Sequence, residues 1–174
     1  MSFWWVNHNK TFSAEMDGGY IWSPKTNING AHNQTYTNLT LTRPRDIVFS
    51  YGLRNIQAIG VVSSHYREQT KPSEFGKAGD GWLKTGWVVP IDWVELVSPI
   101  SPKDYLDQIL PLLPTKNSPI NRKGNGNQCC YLAAISEGFG NLLISIAHRN
   151  NPTLIFVENQ EITNIAARSG KEPA

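Results

Sequence analysis

The sequence predicts an α+β fold, a small β-barrel or strongly curved sheet flanked by helices. Short runs rich in Val, Ile, Trp and Phe are separated by Gly, Pro and Asn turns, as strands of modest length require. One segment, residues 101–110, carries a full helix signature, with weaker ones beside it. No repeat or low-complexity block interrupts the pattern. The chain has 174 residues, enough for one domain that buries roughly two thirds of its unfolded surface. Hydrophobic and charged contents of 40% and 17% argue against wholesale disorder.

The elements follow in order. Residues 3–7 form an aromatic strand whose successive side chains face opposite ways, which places one of Trp4 and Trp5 in the core. Residues 11–15 are a helical turn, capped by Thr11 or Ser13 and ended at Gly18-Gly19. Residues 20–22 are a strand stopped by Ser23-Pro24. Residues 25–35 are an Asn-rich loop, and 36–39 a helical turn or a strand. Residues 47–51 and 56–63 predict a hairpin turning at 52–55. The polar, glycine-rich stretch from Tyr66 to Gly86 is too long for a plain turn and reads as a functional loop. Residues 87–96 are a strand whose Pro90 points to an edge or a bulge.

Ser101 as N-cap, Pro102 at the first position and Asp104 in the first turn open the strongest helix. Leu106, Ile109 and Leu110 supply its buried stripe. Residues 121–128 are a Gly-Asn loop and 129–135 a strand. Ser136 caps a helix near Glu137 that Gly138 and Gly140 weaken. Residues 154–157 are a strand or an apolar helical segment. The main domain is expected to span residues 1–145, with 146–174 a C-terminal extension or linker.

Composition narrows the function. A net charge of +2 is a weak signal for a polyanion partner, so the placement of the basic residues must decide. The adjacent Cys129 and Cys130 exclude a disulfide framework, and the scattered His8, His32, His65 and His148 offer no zinc spacing. No cofactor and no metal are expected. The start lacks the plan of a signal peptide, and no apolar run approaches the roughly 18 residues of a membrane span. A cytoplasmic protein without a membrane partner is expected. No nucleophile stands beside its base, and there is no phosphate-binding glycine motif, so no catalysis is expected within these residues.

The tryptophans are more telling. Trp22 and Trp82 sit among Gly, Ser, Asn and Asp, where a large aromatic at a strand end forms a wall on which a flat ring stacks. A nucleobase is the ligand this suggests.

Trp4-Trp5-Val6-Asn7, Gly18-Gly19-Tyr20-Ile21-Trp22-Ser23-Pro24-Lys25, Asp46-Ile47-Val48-Phe49-Ser50-Tyr51, Ala58-Ile59-Gly60 and Gly124-Asn125-Gly126-Asn127-Gln128 together resemble EVE domains of the PUA-like superfamily. They are most similar to the amino-terminal modified-base-reading domain of EVE-HNH type IV restriction endonucleases, and more distantly to YTH domains. The resemblance runs from about Phe3 to Gly140. It implies an EVE/YTH-type, PUA-like barrel that binds double-stranded DNA and flips a modified base, 5-methylcytosine or 5-hydroxymethylcytosine, into an aromatic cage. Trp22-Ser23 matches the start of the YTH pocket loop, and Trp82, or alternatively Trp87, the second cage wall.

On this reading Trp22, Ser23, Asn29, Tyr51, Asp80 and Trp82 form the base pocket. Lys25, Arg122, Lys123, Asn125, Asn127 and Gln128 contact the backbone or wedge into the gap left by the base. Each has a plainer reading beside it: barrel packing for the tryptophans, turn formation for the Asn residues, hairpin closure for Tyr51, a flexible surface for the Gly-Asn loop. The family's nuclease half needs a histidine pair and an asparagine, and only His148 follows Gly140. The chain would then be a reader whose nuclease is downstream or separate, dimeric in the full-length protein. An RNA-binding PUA-like module and a fragment of a complete HNH endonuclease are the alternatives.

Overall fold

The computed structural model describes residues 1–77, 85–156 and 162–164. The elements run β1 (Phe3–Asn7), α1 (Phe12–Gly18), β2 (Tyr20–Pro24), α2 (Gln34–Thr37), β3 (Ile47–Gly52), β4 (Asn55–Val62), β5 (Arg67–Thr70), β6 (Thr85–Ile100), α3 (Leu106–Ile109), β7 (Leu132–Ile135), α4 (Glu137–Asn150), β8 (Leu154–Phe156) and β9 (Ile162–Asn164). Seven strands make one curled mixed sheet in the order β2-β6-β4-β3-β1-β7, with β5 also paired to β6. β1 lies between β3, to which it is parallel, and β7, to which it is antiparallel.

The curl comes from β6. The first part of this 16-residue strand pairs with β2 and β5, and the second part with β4. Pro90 stands at the changeover, opposite Tyr20, while Ile91 already faces Val62. A proline is tolerated there because one ladder ends as the next begins. β6 is therefore a central strand, not an edge. Register breaks between Ser50 and Tyr51 and between Ile56 and Ala58 bend the neighbouring ladders further.

Both faces of β1 are buried, so Trp4 and Trp5 are both core residues rather than one of them. Trp5 packs with Phe3, Phe49 and Phe139 under α4; Trp4 packs with Val6, Ile21, Val48 and Val89 on the other side. Their indole N–H groups donate to Asp46 Oδ2 (Trp4, 2.9 Å) and Asn7 Oδ1 (Trp5, 2.8 Å). Satisfied in this way, the large rings contribute packing without stranding a buried donor.

Several expectations need revision. The 66–86 connection contains β5 and a 3-10 turn at Ser73–Phe75. Residues 102–112 form two 3-10 turns around the single turn of α3, and Ser101 makes no side-chain cap bond. Of the expected stripe only Ile109 is fully buried; Pro102 is buried as well. Cys129 and Cys130 precede β7 instead of beginning it; Cys129 is exposed, with φ +66°, and only Cys130 is buried. α4 is a full 14-residue helix, its Ser136 cap accepting from the Phe139 N–H at 3.1 Å. Its Gly140 is a packing requirement: a Cβ there would stand 2.3 Å from the Phe3 ring. The helix runs past residue 145, and Ile146, Ala147 and Leu154 join the main core. Among the described residues, no helix is long and apolar enough to cross a membrane.

Candidate functional site

A cleft of about 960 Å³ opens where the ends of β1, β2 and β3 meet residues 125–131. Its floor is organised by a carboxylate. Glu15, on α1, is fully buried. Donors from several parts of the chain converge on it: the Thr11 hydroxyl at 2.5 Å, the Trp22 backbone N–H at 2.7 Å, His8 Nδ1 at 3.3 Å and the Tyr131 phenol. Burial, and then the negative charge of Glu15, push the Tyr131 phenol well above its ordinary value, so it remains a donor. Glu15 thus ties α1 to β2, to the chain leaving β1 and to the approach of β7. Hydrogen bonds to a charged group contribute about 1.5–3 kcal/mol each.

His8 continues the network, its Nε2 lying 2.6 Å from Ser50 Oγ. Ser50, His8 and Glu15 therefore stand in the order of a hydrolytic triad, a constellation that distant positions in sequence conceal. Ser50 is fully buried and does not line the cleft, and the His8 ring is held between Phe12 and Trp93 at centroid distances of 5.4 and 5.9 Å. A nucleophile with no path to substrate is a structural hydrogen bond.

The lip above this floor is built differently. Ser23, in β2, is 1% exposed and lines the cleft. Its Oγ has no hydrogen-bond partner among the described residues. Trp22 also lines the cleft while only 1% exposed; its Nε1 donates to the Gln69 carbonyl at 3.0 Å and its ring stands edge-on to Phe75 at 5.8 Å. Gly86 of β6 permits this, since a Cβ there would meet the Ser23 carbonyl oxygen at 2.1 Å and the Trp22 ring at 2.5 Å. Tyr51 lines the cleft with its ring tilted on Trp5, 5.2 Å away. Burial raises its phenol pKa against the lowering influence of the Gly126 backbone and Arg54.

The Gly-Asn loop is not slack. Ile120 bridges Gly126, Asn121 Oδ1 accepts from the backbone N–H groups of Lys123 and Asn125 at 2.9 and 3.1 Å, and Asn127 Nδ2 donates to the Ser118 carbonyl at 2.9 Å. Asn125, Asn127 and Gln128 line the cleft, whereas Arg122 and Lys123 are exposed outside it. Asn29 is also displaced from the cleft. It lines a smaller recess of about 390 Å³ with Asn27, Ile28 and Tyr36, and its Oδ1 accepts from the Ala31 N–H at 2.9 Å. Lys25 pairs with Glu68 and sits 5.8 Å above the Trp87 ring, so Trp87 faces Lys25 and does not line the cleft. Asp80 and Trp82 lie outside the described residues.

Sequence reasoning missed Glu15, His8, Tyr131, Lys10, Leu53 and Arg54. The i, i+4 spacing of Thr11 and Glu15 was a local signal for their contact; nothing local announces Tyr131. Lys10 and Arg54 are exposed at the cleft, and among the described residues that line it no Asp or Glu joins them. Such a mouth attracts anions. Burial pushes the Cys130 thiol up to about 12, which makes it inert as a nucleophile at neutral pH. Among the described residues, no group of three or more His, Cys, Asp or Glu side chains is placed to hold a metal ion.

No protein-family model matches the sequence, and no curated protein matches it. Solved structures do match. A protein from Leishmania major aligns over 86% of this chain and 96% of its own with a TM-score of 0.58 at 8% identity. The YTH domain of Zygosaccharomyces rouxii MRB1, solved with N6-methyladenosine RNA, aligns over 84% and 86% with a TM-score of 0.53 at 12% identity. The Toxoplasma CPSF4-YTH domain in apo form aligns over 86% and 87% with a TM-score of 0.52 at 15% identity. At these identities the likeness is one of fold: a curled half-barrel of mixed strands with a few helices, as in the YTH domains.

Proposed function

We propose that the cleft reads a modified nucleobase turned out of a nucleic acid. One observation carries the proposal: Ser23 Oγ is buried, unpartnered among the described residues, and borders a cleft whose lining includes the exposed cations Lys10 and Arg54. A buried hydroxyl without a partner costs about 1–3 kcal/mol, and a base edge that hydrogen-bonds to it removes that cost. Trp22, buried against Phe75 and Gly86, shapes the lip from within, and Tyr51 and Arg54 line the cleft with Ser23. Lys10 and Arg54 meet phosphates at the mouth, while Asn125 and Gln128 supply neutral hydrogen-bonding groups. Lys25, Arg122 and Lys123 lie outside the cleft, where they can contact only more distant backbone.

The sequence resemblance favours a modified cytosine in duplex DNA, with the chain as specificity module for a downstream or separate nuclease. The YTH-type fold favours N6-methyladenine in RNA, since the Zygosaccharomyces rouxii domain was solved with such an RNA. One binding experiment separates them. Matched DNA duplexes without modification or with 5-methylcytosine, 5-hydroxymethylcytosine or 6-methyladenine, and RNA with and without N6-methyladenine, are titrated against the native protein, Trp22→Ala and Ser23→Ala. Preference for one modified strand, reduced in both variants, supports base reading and names the substrate. Equal binding of all probes removes it.

A further inference from the structure

The turn joining β3 to β4 is unusual in two respects. Gly52 pairs with Asn55, leaving Leu53 and Arg54 as a two-residue loop with φ of +54° and +69°. Both values lie in the left-handed region, which a hairpin turn of this kind normally fills with Asn and Gly. Leu53 is also 61% exposed, so no packing compensates for its conformation. The tip is nonetheless held rigidly: Asn9 Oδ1 accepts from the Leu53 N–H at 2.8 Å, and Gln57 Nε2 donates to the Gly52 carbonyl at 2.9 Å. Both tip residues line the cleft. Strain retained at the border of a binding site is a mark of use.

We infer that Leu53 is a wedge that enters a base stack and holds open the gap left by the base in the cleft, with Arg54 on the adjoining phosphate. The inference rests on the base-reading proposal and deepens it by making the substrate a duplex. Opening a duplex beside a pocket calls for a rigid apolar point, a neighbouring cation and a cavity for the expelled base. The tip and the cleft bring these together, whereas the Asn127 amide in the Gly-Asn loop is already engaged with Ser118. A single-stranded ligand has no stack to hold apart and gives Leu53 nothing to do.

The test uses Leu53→Gly and Leu53→Asn, both of which accept a positive φ. Native protein and variants are titrated with duplexes and single strands of one sequence carrying 5-methylcytosine or 6-methyladenine, with 2-aminopurine beside the modified base to report unstacking. Both variants are expected to melt at least as high as the native protein and to bind the modified single strand within about twofold. They should bind the modified duplex about tenfold more weakly and lose the 2-aminopurine signal. If the native protein reads the modification in both forms and the variants bind both as tightly, the wedge alone is overturned. If the native protein ignores the modification in both forms, base reading falls and the wedge with it.

Discussion

Ser23 is buried in the lining of the cleft and Glu15 behind residues that line it, yet the fold treats their oxygens in opposite ways. The Glu15 carboxylate receives four donors drawn from across the chain, whereas the Ser23 hydroxyl receives none among the described residues. The floor is a fastening and the lip is an open valence. Hydrogen-bond satisfaction thus separates what the molecule needs in order to fold from what it holds ready for a ligand.

The largest test of that division is Glu15→Ala, which removes at once the shared acceptor of His8, Thr11, the Trp22 amide and Tyr131. Stability should fall by about 3–5 kcal/mol in urea unfolding, the range for breaking a buried polar cluster. A loss below about 1 kcal/mol would mean that the floor is not the fastening described. Gly86→Ala comes next, because its Cβ would press on both Trp22 and the Ser23 carbonyl. A cost of about 1–3 kcal/mol is expected, with modified-base binding weakened as well, since the change deforms the lip itself. Unaltered affinity in a folded Gly86→Ala protein would detach the lip from binding.

Tyr131→Phe removes one donor of four and should cost about 1.5 kcal/mol. It also alters the response to alkali. The folded phenol pKa is raised, so this contribution is fully present below the unfolded tyrosine value of about 10 and is lost as pH rises through the folded value. The native melting temperature should therefore decline above about pH 10, and Tyr131→Phe should decline less steeply. Parallel curves would show that Tyr131 does not titrate with unfolding. Ser23→Ala should have the smallest effect on stability, within about 0.5 kcal/mol or slightly favourable, because it deletes an unpartnered group. Its effect on modified-base affinity should nonetheless exceed that of Tyr131→Phe, and the reverse ranking would invert the comparison between floor and lip.

The sequence made legible what neighbouring residues decide. The β3–β4 hairpin was readable because each strand carries its own apolar run and a turn lies between them. β5 was not, because Arg67, Glu68, Gln69 and Thr70 leave no apolar face in the pattern; three of the four are exposed, and the strand is held by its pairing with β6 and by contacts from Trp22 and Lys25. α4 was underestimated because Gly138 and Gly140 count against a helix, whereas Gly140 is there to admit the Phe3 ring. Trp22, Ser23, Tyr51, Asn125, Asn127 and Gln128, distant in sequence, all line one cleft. Glu15 escaped notice because an acidic residue in a short helix ordinarily faces water, and its partner Tyr131 is 116 positions away.

The position of β1 has a consequence for how the chain comes together. Its two faces carry Trp4 and Trp5, and its two edges are claimed by β3 and by β7, so this early strand is completed only when residues 132–135 arrive. Until then its second edge is unpaired and its aromatics are incompletely covered, the state in which strands associate with strands of other molecules. Pairings this distant in sequence close slowly. The molecule should therefore refold well when dilute and lose yield steeply as concentration rises, with the amino-terminal strand as the adhesive segment.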